Sequence, residues 1–272
     1  MIKIFTVDAF TDRPFSGNPA AVCLPNVELS EEVMQKIAFE MNLSETAFVT
    51  KLDDGFSLRW FTPKAEVELC GHATLASAHI LWQEKMISEN EEAVFYSKYK
   101  GILKAKKSGS EITLNFPVNK PLPSDRNEIL EKALGVNSVS LNTIFTTEHH
   151  YIVELNSEEN LKNVKPDFSL LETLPKYGVI ITSKSDDPEF DFVSRFFAPS
   201  KGVKEDPVTG SAHCVLAPFW SEKLGKKKMN AFQASERGGV LSVELKDERV
   251  LISGNAVTVT AGELFLHTDS FS

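Results

Sequence analysis

Four short runs of residues hold the chemistry this sequence can offer: Glu45, Cys70-Gly71-His72-Ala73, Asp206, and Thr209-Gly210-Ser211-Ala212. Glu45 stands between a helix end, marked by Asn42 and Ser44, and an apolar strand at 46–50 (TAFVT). A glutamate there is part-buried. Burial away from positive charge makes a carboxylate a stronger base, suited to taking a proton. The plain alternative is a solvated surface glutamate or a cap.

Gly71-His72-Ala73 and Gly210-Ser211-Ala212 each open an apolar run of helical length. The first N–H groups of a helix have no helical acceptor. Small side chains let a ligand reach them, so two such ends facing one cleft form a cradle for a carboxylate or an enolate-like oxygen. Otherwise they are ordinary helix starts. His72, at a helix start, is expected to have a lowered pKa and a neutral ring that donates a hydrogen bond or relays a proton. Asp206 lies in KGVKEDPVTGS with Pro207 restraining the backbone beside it. It binds a polar substrate group, orients His72, or caps the following turn. His79 and His213 read as packing histidines.

Cys70 precedes a helix start, where a thiol is expected to have a lowered pKa and to act as a base. A two-base racemase needs a partner of similar strength, and the corresponding place in the second run holds Thr209. A hydroxyl does not serve as that base unaided, and Cys214 lies inside the helix. The spacing speaks against a dithiol racemase.

The elements that must position these groups come in two similar sets. FSLRWFTPKAEVELCGHATLASAHILW (56–82) and FVSRFFAPSKGVKEDPVTGSAHCVL (192–216) share one order: Arg, Phe, small residue, Pro, acidic residue, Gly, then His or Ser, Ala and an apolar helix. Helices at 72–85 and 211–224, apolar almost all round, are expected to be buried inside cups of sheet. Pro218 lies within the second and is expected to kink it. Flanking helices are expected at 31–41, with Ser30 as N-cap, and at 125–134, closed by Gly135. Short strands fill most of the rest. The predicted fold is α+β, an internal duplication of domains 1–117 and 118–272, with a last strand near 256–266 that crosses back to the first domain.

The chain has 272 residues, 42% of them apolar, and a net charge of −9. That charge argues against a general nucleic-acid or anionic-membrane binder. No apolar run approaches the ~20 residues of a membrane span, and the N-terminal MIKIFTVDAF lacks a signal-peptide layout. Three cysteines without a CxxC suggest a reducing compartment, so a cytoplasmic location is expected. With no HExxH among six histidines, no metal is expected.

The strings NLSETAFV (42–49), RWFTPKAEVELCGHATLASAH (59–79), SRFFAPSKGVKEDPVTGSAH (194–213), ERGGVLSV (236–243) and ISGNAVTVTAGEL (252–264) together are specific. Through them the chain resembles the PhzF-like isomerase family along essentially its whole length. The resemblance implies a fold similar to diaminopimelate epimerase and proline racemase, two αβ domains related by a pseudo-twofold with the site between them. It implies an isomerase without cofactor, acting on a small anionic metabolite such as a cyclic diene acid. Glu45 would take a proton from one ring carbon and return it to another. His72 and Asp206 would hold an amine or hydroxyl and assist protonation. Ser211 and the amides of Gly71, Ala73, Gly210 and Ala212 would receive the carboxylate. Many family members form homodimers, a state the sequence neither shows nor opposes. The alternatives are an amino-acid racemase or epimerase, and a non-catalytic metabolite-binding protein.

Overall fold

Residues 1–137 and 139–266 are described by the computed structural model, in which the chain folds as two α+β units. Among the described residues, the first holds Met1–Asn115 and 253–266, and the second holds Phe116–Ile252. The last six residues of the expected second domain lie outside the described residues.

In the first unit, β1 (Ile2–Ala9) pairs antiparallel with β2 (Asn18–Leu24). Helix α1 (Glu31–Met41) starts where the Ser30 hydroxyl accepts the Val33 N–H and Glu31 and Glu32 favour the positive helix end. It stops at Asn42, whose left-handed backbone (φ 49°) sends its N–H back to Ala38 O. The chain then enters β3 (Glu45–Leu52), parallel to β2 with Glu45 beside Ala20. β4 (Gly55–Phe61) runs antiparallel to β3 and to the short β5 (Glu66–Val67). Helix α2 (Gly71–Gln83) follows, and then β6 (Ala93–Ser97), which lies parallel to β4. β7 (Gly101–Ser108) and β8 (Glu111–Pro117) complete an antiparallel run. Leu75, Ile80 and Leu81 of α2 are fully buried, each contributing about 1.5–3 kcal/mol. Ala73, Ala76 and Ala78 between them let the sheet approach the helix closely.

The second unit repeats this plan. β9 (Leu122–Ser124) and α3 (Glu128–Leu134) lead into β10 (Leu141–Thr146), antiparallel to β11 (His150–Leu155). Short helices α4 (Glu158–Asn163) and α5 (Phe168–Glu172) stand where α1 stands in the first unit. β12 (Gly178–Lys184) is parallel to β11, and β13 (Phe192–Ala198) is antiparallel both to β12 and to β14 (Val203–Asp206). Helix α6 (Gly210–Leu224) is the counterpart of α2, and β15 (Lys228–Gln233) lies parallel to β13. β16 (Gly239–Lys246) and β17 (Arg249–Gly254) follow. The final strand β18 (Ala256–Leu264) pairs with β1, as β9 pairs with β10.

The differences from the sequence reading have local causes. Helix α2 spans 71–83 rather than 72–85, because Glu84 caps it and Lys85 takes a positive φ of 55°. Helix α3 opens at Glu128 rather than at 125, because the Asn127 side chain accepts the Leu130 N–H. Pro218 stands inside a helix continuous from Gly210 to Leu224. The strands β5, β9 and β14 and the helix α4 were not anticipated; they are too short to show a period. Among the described residues, no helix is long and apolar enough to cross a membrane.

Candidate active site

In the first unit, the end of α1, the start of β3 and the start of α2 set the site. Asn42 turns the chain so that Ser44 and Glu45 follow directly, and parallel pairing lays Glu45 next to the N-terminal end of β2. His72, the second residue of α2, brings its Nε2 to 3.2 Å from Glu45 Oε2. Their side chains are only 6% and 18% exposed, respectively. The contact is an electrostatic approach, and among the described residues no hydrogen bond of good geometry reaches the buried Oε2. Such an oxygen is costly to maintain and is where a proton or a substrate donor would be received.

Two further residues grip the ring. Asn18, fully buried at the first position of β2, lies 3.1 Å from His72 Nδ1 through its Nδ2. Its Oδ1 is 3.2 Å from Ser44 Oγ, which also reaches Pro19 O at 3.1 Å. Cys70 Sγ sits 3.5 Å from Nδ1. The lowered pKa expected for His72 is corrected here. Burial does oppose a charge on the ring, but the Cys70 and Glu45 groups beside it favour one and prevail, holding the pKa well above the ordinary imidazole value. The expectation for Cys70 is corrected too: burial, and then the Glu45 charge, push its thiol up. With that thiol protonated, the attraction on His72 comes from Glu45. The Ala73 N–H is turned to the Cys70 sulfur.

Glu45, Cys70 and His72 offer three ligand-type atoms within 4.8 Å of one another. A helix N-terminus disfavours a cation beside it, and burial holds the cysteine as a thiol rather than the thiolate a soft metal needs. The group is therefore read as a proton-transfer pair with its supports.

In the second unit, Asp206 ends β14 and Thr209 precedes α6. The Thr209 hydroxyl donates to the Asp206 carboxylate, and its N–H donates to Gln233 Oε1 at 2.9 Å. Gln233 Nε2 in turn donates to Asp206 O at 2.8 Å. Thr209, at the place of a second racemase thiol, is thus a fixed hydroxyl whose proton serves an aspartate. Gly210 and Ala212 are buried, while Ser211 is exposed at the first turn of α6. His213 sends Nδ1–H to Thr209 O at 2.8 Å, and burial lowers its pKa to about 4. Like His79, bonded to Thr258 at 3.1 Å, it is a packing histidine.

The structure thus brings Glu45 and His72 together in one unit, and Asp206 and Thr209 in the other. Asn18, Ser44 and Gln233 were not recognised from sequence as supports. For Gln233 a signal exists: Met229, Ala231 and Gln233 share the inward phase of β15, where a polar residue needs partners. Asn18 lay hidden in a turn-like Gly-Asn-Pro. A shallow cavity of about 350 Å³ lined by Arg59, Tyr96 and Lys98 lies apart from these residues. Its Arg59 cation is already held by Glu66 and Glu31, so it is not read as the substrate site.

Two sheet-and-helix units in pseudo-symmetric repetition, with a carboxylate–imidazole pair at one helix mouth, define an epimerase-type fold capable of acid–base proton transfer on a small metabolite. The family model described as phenazine biosynthesis-like protein, PhzC-PhzF, matches residues 7–262. The chain belongs to this PhzF-like isomerase family, whose fold is related to diaminopimelate epimerase. It is 51% identical over 265 residues to an uncharacterized isomerase of Halalkalibacterium halodurans, covering 97% of this chain and 98% of that one. It is 43% identical over 287 residues to the human phenazine biosynthesis-like domain-containing protein, covering 97% and 99%. Among solved structures, a PhzF-family protein of Enterococcus faecalis superposes with a TM-score of 0.92 at 41% identity, covering 97% and 99%. A probable proline racemase of Agrobacterium radiobacter shares the fold alone, with a TM-score of 0.63 at 11% identity.

Proposed function

We propose that the protein is a cofactor-independent isomerase that moves a proton within a small, cyclic carboxylic acid, with Glu45 as the shuttling base. The observation that carries this reading is the buried Glu45 Oε2, reached by no hydrogen bond of good geometry among the described residues and 3.2 Å from His72 Nε2. Glu45 removes a proton from one carbon, the π electrons shift along the conjugated system, and Glu45 gives a proton, exchanged with solvent in at least part of the turnovers, to another carbon. Atoms and charge balance without a co-reactant. The neighbouring His72 offsets the charge that alternates on Glu45. On this reading the Gly71 amide in the first unit, and Asp206, Ser211 and the amides of Gly210 and Ala212 in the second, offer partners for the polar groups of a small acid. A cytoplasmic location and a homodimer belong to the same proposal.

Incubating the protein with small unsaturated acids in D₂O tests it by NMR and mass spectrometry. The wild type labels one acid at carbon with movement of a double bond. Glu45→Gln lowers that labelling by about 10²–10⁴-fold, the usual contribution of a general base. Undiminished labelling by Glu45→Gln would overturn the mechanism. Labelling at Cα without double-bond movement would indicate a racemase. That reading is disfavoured because burial holds the Cys70 thiol protonated and the Thr209 hydroxyl is committed to Asp206. Saturable binding without turnover, indifferent to Glu45, would indicate a metabolite-binding protein.

A further inference from the structure

We propose that Asn18 is a positioning residue whose side-chain amide, anchored on Ser44, sets which nitrogen of the His72 ring carries a proton. The proposal deepens the reading of Glu45 and His72 as a proton-transfer pair and rests on it.

Asn18 has no solvent contact, and its amide lies between a ring nitrogen and a hydroxyl. With Nδ2 toward His72 and Oδ1 toward Ser44, the donors run in one direction: Ser44 O–H to Asn18, then Asn18 N–H to His72 Nδ1. Nδ1 is then an acceptor, so the proton of a neutral ring sits on Nε2, the nitrogen 3.2 Å from Glu45 Oε2. A protonated ring has an N–H at Nδ1 as well and needs an acceptor there. A half-turn of the amide supplies one: Oδ1 accepts Nδ1–H, Nδ2 donates to Ser44 Oγ, and the Ser44 O–H turns to Pro19 O, 3.1 Å away. The amide N–H that faces the ring or the hydroxyl, the Ser44 O–H and the Nδ1–H of a charged ring each meet an acceptor in these arrangements. An apolar side chain would serve neither, and a carboxylate would serve only the charged ring. A ring that must gain and lose a proton inside a dry site requires a partner able to reverse its polarity.

Charged and titratable groups on the elements packed against α2 are Lys3 and Asp8 on β1, Cys23 on β2, Glu45 and Lys51 on β3, and Glu263 on β18. Of these Glu45, together with Cys70 at the head of α2 itself, acts on the His72 ring. Asn18 is uncharged, so its effect on the ring is through hydrogen bonding alone.

The test is ¹⁵N NMR of the full chain labelled at histidine, titrated without substrate, with the His72 signals assigned by their loss in His72→Gln. In the wild type, the ring at high pH carries its proton on Nε2, and Nδ1 shows the shift of a hydrogen-bonded acceptor. Asn18→Asp raises the proton affinity of His72 at least tenfold, a midpoint one pH unit higher. Asn18→Leu lowers it at least tenfold and abolishes the acceptor shift at Nδ1, and Ser44→Ala moves the midpoint in the same direction by less. A neutral ring protonated on Nδ1 in the wild type, or an unchanged midpoint in folded Asn18→Asp, overturns the proposal. Asn18→Asp keeps the question decidable if Asn18→Leu does not fold. Because no substrate is present, failure of the isomerase reading in D₂O and failure of this one appear in separate experiments.

Discussion

Arg59 and Arg195 occupy the same place in the two units. Each lies two residues before a phenylalanine, with its guanidinium carbon 5.2 Å from the Phe61 ring centre and 5.0 Å from that of Phe197. Each grips a glutamate of the next short strand through two nitrogen–oxygen contacts, Arg59 to Glu66 and Arg195 to Glu205. The arginine side chains are 13% and 11% exposed. In a part-buried bidentate pair, loss of the arginine takes from the glutamate its main partner. Arg59→Met and Arg195→Met are therefore each expected to cost about 2 kcal/mol of unfolding free energy, between the values for buried and exposed pairs. Urea denaturation checks this. A cost below ~1 kcal/mol would mean the pairs behave as surface salt bridges.

The two pairs also show what the sequence could disclose. The ordered string of Arg, Phe, Pro, acidic residue and Gly announced a duplication because it repeats a whole supersecondary unit: β4, β5 and α2 in one copy, β13, β14 and α6 in the other. Long apolar helices and Glu45 at a helix-to-strand junction were legible for the same reason: local chemistry determines them. The charge state of His72 was not. It depends on Glu45, 27 positions away in the chain and brought close by the parallel pairing of β2 and β3 and the packing of α2. The support from Asn18 was hidden likewise, since a Gly-Asn-Pro turn looks the same whether or not its asparagine reaches a histidine.

Gly17 is where the backbone secures that support. Its φ is +66°, and a Cβ added there would lie 2.2 Å from Ala9 O. The neighbour is backbone in β1 and cannot yield cheaply. Gly17→Ala is therefore expected to destabilise the protein by more than the ~1 kcal/mol typical of a left-handed position, and to displace Asn18. A lowered Tm together with a changed His72 ¹⁵N shift checks both parts. A full-strength Tm would show that the loop has another way to relax.

Acid stability should be governed by histidines outside the proposed chemistry. Burial lowers the pKa of both His150 and His213 to about 4. An unfolded histidine titrates near ~6.5. Below that pH the unfolded chain takes up protons that the folded one refuses, so stability is full above pH ~6.5 and falls until pH reaches the folded values. Each site is expected to withdraw about 3 kcal/mol over that interval. Replacing both with glutamine should flatten the fall between pH 6.5 and 4 in denaturant titrations. An unchanged slope would assign acid unfolding to other groups.

The pairing of His72 with Glu45 predicts the opposite pH dependence. The folded pKa of His72 is raised, so its contribution to stability is fully present below the unfolded value of ~6.5 and is lost as pH rises through the folded value. Glu45→Gln removes the carboxylate that favours the charge and leaves the burial that opposes it. The folded pKa of His72 must then fall, and the sign of its contribution reverses. The variant should therefore lose most stability relative to the wild type near pH 6 and least near pH 10. Urea denaturation of both proteins at the two values measures the difference. A gap of equal size at both would mean that Glu45 stabilises the fold without sharing charge with His72, and the attraction inferred from their 3.2 Å approach would have to be withdrawn.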